Sequence, residues 1–227
     1  MRVTSPASIL TARCLSAKRS WRTVFSGLDL DVSVGDRIYV RGENGSGKST
    51  LLQTLIGIHP RKTGDLLWRG RPLATARESL FTGGLIAYLP QYCNIFPSLT
   101  LRENILLGCH TDPVSTQSRL KAIQVSLPEL TDVIDSLPKQ ASAGQRQLAA
   151  FVRMLVRQPL LLILDEPTAG VAADLVPTIY ALAAQYHAAA AVIFTEQHSE
   201  IAATWATRQF TISAGHIAED QLNAQTP

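Results

Sequence analysis

The sequence predicts an α/β fold built on a phosphate-binding loop, and three observations carry that expectation. Gly42-Glu43-Asn44-Gly45-Ser46-Gly47-Lys48-Ser49-Thr50 has the spacing G-x-x-x-x-G-K-S, the P-loop pattern. It lies between a run rich in β-formers, Arg37-Ile38-Tyr39-Val40, and an apolar stretch at helical spacing over residues 51–56. Two short apolar runs, residues 85–89 and 160–164, read as buried parallel strands.

The remaining elements follow in chain order. Residues 9–14 suit a first strand, and Lys18-Arg19-Ser20-Trp21-Arg22 reads as a turn. Residues 24–34 alternate through Leu28, Leu30, Val32 and Val34, as a half-buried strand does. Gly57 and Pro60 close the helix after the loop, Thr63-Gly64 reads as a turn, and Asp65-Leu66-Leu67-Trp68 as a hairpin strand. Residues 98–158 are helical in pattern, with breaks expected at Pro113, Pro128 and Pro138, and form a lobe inserted between two sheet strands. An alanine-rich helix is expected over 172–188, a strand over 191–195, and a late strand and turn around Phe210-Thr211-Ile212 and Gly215.

The glycines of the loop let successive N–H groups face one anion, and the helix that follows adds the positive end of its dipole. Lys48 can reach the outer phosphates and the Ser49 hydroxyl can ligate magnesium; the alternative is a Gly/Ser-rich loop that binds nothing. Asp165-Glu166 follows the apolar run 160–164. A carboxylate at the C-terminal end of a parallel strand faces the crevice where ligands bind in such sheets. Asp165 can hold magnesium, directly or through water, and Glu166 can polarise an attacking water. The alternative is a pair that caps a helix.

Composition narrows the classes. A chain of 227 residues with 46% apolar residues is long enough for one domain with an added lobe. A formal charge of +3 gives no reason to expect nucleic acid as the partner. Cys14, Cys93 and Cys109 are odd in number and lack metal spacing, so reduced thiols are expected. Residues 1–6 show no signal-peptide core, and no stretch approaches the roughly 18 apolar residues of a membrane span. Any role at a membrane then passes through a partner.

Four motifs in order resemble the nucleotide-binding subunit of an ABC transporter, over nearly all of the chain. The P-loop is the family's Walker A, and residues 160–166 resemble Walker B with the adjacent catalytic glutamate, continued by Pro167-Thr168-Ala169. Leu89-Pro90-Gln91 resembles the Q-loop, whose glutamine contacts the metal and the attacking water. Ala141-Ser142-Ala143-Gly144-Gln145 resembles the signature Leu-Ser-Gly-Gly-Gln, which in the family covers the nucleotide of a second subunit. Ser142 would supply a hydroxyl there and Gly144 a close backbone approach; the alternative for Ser142 is an ordinary helix cap.

Several positions depart from the family pattern. Ala141 and Ala143 replace the signature's Leu and first Gly, and Val171-Ala172 lacks the aspartate of the D-loop. Gapless counting back from Ala206-Thr207-Arg208 puts Gln197 at the γ-phosphate switch, where the family has histidine, while His198 stands one residue on. Trp21 lies about two residues from the expected adenine-stacking aromatic; the alternative is a core or edge tryptophan.

The resemblance implies a single ABC ATPase domain over 1–227. Its α/β P-loop core and antiparallel β subdomain would occupy about 1–90 and 159–227, and its helical subdomain about 91–158. It implies ATP and Mg2+ as ligands, hydrolysis coupled to transport, a head-to-tail pair with a second ATPase subunit, and transmembrane permease subunits as partners. The expected location is the cytoplasmic face of the inner membrane. Phe96, Leu99 and Leu101 are either a docking stretch for the partner or part of the lobe's own core. Among small subunits, residues 22–28, residues 67–73 and the Ser-Ala-Gly-Gln signature are similar to the haem-exporter ATPase of cytochrome c maturation, though the Gln91 segment is not. Two other readings are a nucleotide-responsive structural subunit with little turnover, and a soluble ABC-type ATPase outside transport.

Overall fold

The computed structural model describes residues 8–73, 83, 85–92, 95–107, 109, 112–186, 190–197 and 199–220. The described strands are β1 (Ser8–Arg19), β2 (Arg22–Ser33), β3 (Arg37–Arg41), β4 (Lys62–Trp68), β5 (Arg71–Pro72), β6 (Ile86–Leu89), β7 (Leu161–Asp165), β8 (Ala191–Thr195), β9 (Arg208–Ser213) and β10 (His216–Glu219). The helices are α1 (Lys48–Leu55), α2 (Leu101–Leu106), α3 (Pro113–Ser126), α4 (Pro128–Thr131), α5 (Ala143–Val156), α6 (Val176–Tyr186) and α7 (Ser199–Trp205). They pack as two compact units, one drawn from residues up to 79 and beyond 190, the other from 80–190.

In the first unit, β1 pairs antiparallel with β2 on one side and with β4 on the other. β3 is parallel to both β8 and β9, and β10 closes on β9 as an antiparallel hairpin. The alternation expected for 24–34 is seen as buried Leu28, Leu30 and Val32, whereas Val34 lies past the end of β2 and is exposed. The turn expected over 18–22 shrinks to Ser20-Trp21, because Lys18 and Arg19 still pair with Thr23 and Arg22. Thr63-Gly64 is strand rather than turn. β1 bulges around Cys14, and a β-carbon on Gly64 would stand 2.5 Å from the Cys14 carbonyl oxygen, so only glycine lets β4 pass this close. Tyr39 and Phe194 stack at 5.4 Å between β3 and β8, and Trp205 of α7 meets Phe194 edge-on at 5.0 Å.

In the second unit β6 and β7 are parallel, and every residue of β7 is buried. The prolines at 113, 128 and 138 do not interrupt helices. Each stands in the first turn of one: α3, α4 and the short 3-10 turn Pro138–Gln140. There the missing N–H has no intrahelical partner to lose and the fixed φ is already helical. The helix expected over 172–188 starts later, at Val176 after a 3-10 turn Ala173–Leu175, with Pro177 in its first turn. Thr100 caps α2 through a reciprocal bond with Glu103. Asn104, fully buried in α2, accepts from Phe96 N–H at 2.7 Å and donates to the carbonyls of Phe96, Leu99 and Thr100. One side chain thus ties the 96–100 segment to the lobe.

α5 is the spine of this unit, with Leu148, Phe151, Val152 and Leu155 buried and packed against α2, α3 and β6. Phe151 is fully buried, and removing a ring of that size from a close-packed core costs about 3–5 kcal/mol. Phe151→Ala is therefore expected to lower unfolding stability by about that amount. Urea denaturation checks it, and a loss below about 1 kcal/mol would show that α5 does not carry the core.

Candidate functional site

Two clusters of polar groups are described, one in each unit. In the first, β3 ends at Arg41 and the chain loops through residues 42–47 into α1. Gly47, at φ 110°, is the N-cap and its carbonyl accepts the first helical bond from Leu51 N–H at 2.9 Å. A β-carbon at Gly47 would overlap Val24 Cγ1, and one at Gly42 would stand 2.5 Å from the Ile212 carbonyl oxygen. The loop is therefore wedged between β2 and β9, in a shape that a larger residue cannot adopt.

Lys48 is nine-tenths buried, and its ammonium donates to the carbonyls of Gly42 at 2.7 Å and Glu43 at 3.2 Å. The cation is held over the mouth of the loop. Ser46 N–H donates to the Glu43 carbonyl at 3.1 Å, while Ser46 Oγ is buried with no hydrogen-bond partner among the described residues. A buried hydroxyl without a partner is costly, and an oxygen-rich anion in the loop would satisfy it. Glu43, Asn44 and Gly45 are exposed; Ser49 and Thr50 are half-buried in the first turn of α1.

A cavity beside the loop is lined by Arg19, Trp21, Arg22, Gly45, Ser46 and Gly215, with a volume of about 650 Å³. Trp21, at the tip of the β1–β2 hairpin, is 89% exposed. It is therefore not a core tryptophan: its ring stands at the rim of a cavity shared with the phosphate loop. The length of β1 and β2, which brings the hairpin tip to the same cavity as Gly45, is not legible from the spacing of the motifs.

Gln197, which gapless counting puts at the switch, is exposed, and its N–H donates to Glu196 Oε2 at 3.0 Å. Glu196 itself is buried and, with burial as the larger cause, holds the Tyr39 phenol above its usual range. His198 lies outside the described residues, as does Cys93.

In the second unit, β7 delivers Asp165 and Glu166 to its carboxyl end, both more than nine-tenths buried. Glu166 adopts φ 52°, a left-handed backbone that a residue with a β-carbon resists. Gln91 Nε2 donates to Glu166 Oε2 at 2.7 Å. The carboxylate and the carboxamide predicted from separate motifs thus meet directly. Ser142 caps α5: Gln145 N–H donates to Ser142 Oγ at 3.1 Å, and Ser142 N–H to Gln145 Oε1 at 2.8 Å. The capping reading of Ser142 is correct, and it leaves the hydroxyl proton available. Ala143 is exposed at this helix start. Gly144 lets α5 approach the chain itself, since a β-carbon there would stand 2.8 Å from the Gly170 carbonyl oxygen.

A groove of about 490 Å³ is lined by Gln91, Tyr92, Ile95, Lys139, Arg146 and Gln147, among others. Of the three apolar residues named for docking, Leu101 is fully buried in the lobe's core, while Phe96 is 52% exposed and Leu99 half-buried. Leu101 is the first residue of α2 and turns into the unit, so it is unavailable to a partner.

Comparison with known proteins gives these clusters a family. The ABC transporter family model matches residues 25–169. The cytochrome c biogenesis ATP-binding export protein CcmA of Cupriavidus necator is 36% identical over 171 residues, covering 73% of this chain and 72% of that protein. The high-affinity branched-chain amino acid transport ATP-binding protein BraG of Pseudomonas aeruginosa is 30% identical over 199 residues, 87% of this chain and 85% of that one. A dimeric structure of the ATP-binding cassette MJ0796 in a post-hydrolysis state, bound to ADP and Pi, has a TM-score of 0.81 over 94% of this chain and 99% of that chain. Its sequence identity is 19%, so the likeness shows the fold alone.

The wedge at Gly47 is directly testable. Gly47→Ala combines a disfavoured backbone with overlap on Val24. It is expected to destabilise the first unit by about 1–3 kcal/mol and to weaken nucleotide binding at least tenfold. Thermal unfolding with and without ATP reads both, and unchanged affinity would show that the loop's shape does not set binding.

Proposed function

The chain belongs to the ABC transporter family, as an ATP-binding, ATP-hydrolysing subunit, and from that premise we propose that it drives a membrane exporter as one of a head-to-tail pair of ATPase subunits. The export direction is supported by the CcmA relative, which is named as an export protein; BraG is named for amino acid transport. Pairing is supported by the start of α5, where Ser142 and Ala143 are exposed and Gly144 and Gln145 half-buried, a place where a helix N-terminus could meet a second nucleotide's phosphates. One bound nucleotide needs only one P-loop. No described helix is long and apolar enough to cross a membrane, so the span comes from a permease partner, with this chain on the cytoplasmic face.

The reaction assigns roles residue by residue. The loop from Gly42 to Thr50 cradles the phosphates with backbone N–H groups, and Lys48 turns its ammonium from the Gly42 and Glu43 carbonyls to the β- and γ-phosphates. Trp21 stacks on the base. The Ser49 hydroxyl and the Asp165 carboxylate are hard oxygen donors suited to Mg2+, with Gln91 a further oxygen ligand. Among the described residues no three His, Cys, Asp or Glu side chains cluster. That donor set suits an ion held partly by substrate phosphates and water rather than by a protein cage. Bound Mg2+ would neutralise charge developing on the phosphate oxygens. Glu166 takes the proton of the attacking water, and Gln91 orients that water. Gln197 or His198 senses the γ-phosphate.

The observation that carries hydrolysis over passive nucleotide sensing is the buried Glu166 carboxylate bonded to Gln91. The reading with little turnover draws on Gln197 and on Val171-Ala172, where the family's histidine and aspartate are missing. The groove beside Gln91 receives the permease. Lys139 and Arg146 line it, with no acidic side chain among the described lining residues, so it fits an apolar helix bearing a carboxylate.

Two variants separate binding from chemistry. Lys48→Ala is expected to abolish binding of labelled ATP, and undiminished affinity would reject the site. Glu166→Gln should keep binding and cut turnover by about 10²–10⁴, leaving an ATP-bound dimer visible by size-exclusion chromatography. Wild-type hydrolysis in Glu166→Gln would make the passive reading the better one.

A further inference from the structure

Gln147 stands in the second turn of α5, more than nine-tenths buried, and the reaction as assigned makes no use of it. Its side chain crosses to the segment after β7. Nε2 donates to the main-chain oxygen of Pro167 at 3.2 Å and to that of Glu166 at 3.4 Å. The Glu166 oxygen also accepts from Ala169 N–H at 3.1 Å, closing a turn over 166–169. Glu166 is the residue at φ 52°, so its backbone sits where a β-carbon is disfavoured and must be held by specific bonds. The same two glutamines, Gln91 and Gln147, face the groove beside Lys139 and Arg146. One touches the Glu166 carboxylate and the other its backbone.

We propose that Gln147 is a positioning residue for hydrolysis: its carboxamide, donated to the main-chain oxygens of Glu166 and Pro167, holds Glu166 in the left-handed conformation that presents its carboxylate to Gln91. The inference rests on the reading of Glu166 as general base. Its physical content is directional. Two carbonyl oxygens converge on one site, and only a side chain that donates can bond both. A methionine fills the same volume and donates nothing, a glutamate places a third acceptor against two, and a lysine donates to both, as Lys48 does to the Gly42 and Glu43 carbonyls. The close approach of Gly144 to the Gly170 carbonyl brings α5 against the residue that follows the same turn. The helix that begins with the signature and the turn that carries the base are thereby fixed to each other at two points.

The test is a set of substitutions read by steady-state ATPase rates and by labelled-ATP binding on the full chain. Gln147→Met should lower kcat about tenfold or more while KM and ATP affinity stay within about threefold. Gln147→Lys should recover most of the rate, and Gln147→Glu should be the slowest of the three. In a Glu166→Gln background, with turnover followed by release of labelled phosphate over long incubation, Gln147→Met should cause no further loss. An equal fractional loss in both backgrounds, or a fall in ATP affinity as large as the fall in kcat, would make Gln147 merely structural and overturn the proposal. If the Met chain does not fold, Lys against Glu carries the same contrast, and equal rates for those two overturn it. The underlying reading fails separately, through a Glu166→Gln single variant that hydrolyses at the wild-type rate.

Discussion

β3 is hydrogen-bonded along both edges, by β8 and by β9, and much of the first unit depends on that double pairing. A strand with no free edge can only release its chain at its end. The chain therefore leaves Arg41 at the carboxyl edge of the sheet and must reverse into α1 within six residues. Ile212 of β9 and Val24 of β2 stand where side chains at Gly42 and Gly47 would go. The loop is thus shaped by the strands packed against it. Lys48, closed onto its own loop's carbonyls, needs only to turn its ammonium to meet an anion.

The second unit meets a related problem with other means. β7 is buried along its whole length, so a polar residue is accommodated only at its end. Asp165 and Glu166 take that place. Glu166 then turns through a left-handed conformation that glycine would adopt more readily. Glycine has no carboxylate, so the strain is retained and offset by bonds from Ala169 and Gln147. Strained backbone at a reacting group of this kind needs a surround that overdetermines it.

What the sequence made legible was local. The P-loop, the two apolar runs and the carboxylates after 164 all depend on neighbours within a few residues, and they were found where expected. The prolines were legible as breaks but not as helix starts, because the distinction depends on which side carries the unpaired N–H. Thr63-Gly64 reads as a turn yet is strand, because its glycine serves a neighbouring strand, and the bulge at Cys14 that requires it lies some fifty residues away in the chain. The bond between Gln91 and Glu166 joins positions 75 apart, and that of Gln147 reaches 19 and 20 positions. Motif order hinted at the first. Nothing local marked the second, since an amphipathic helix reads a buried glutamine as one more polar residue.

The hairpin tip has a consequence for how the protein can be watched. Trp21 stands 89% exposed at the rim of its cavity, Trp68 is buried at 5%, and Trp205 is half-buried against the Phe194 ring. An indole in water emits at longer wavelength than one in a core, and it loses emission when another aromatic ring stacks on it. The chain therefore carries one solvent-coloured fluorophore beside the phosphate loop and two that report on the interior. Quenching at the red edge of the tryptophan spectrum, with the blue edge unmoved, is an optical signature that the folded protein supplies without a label.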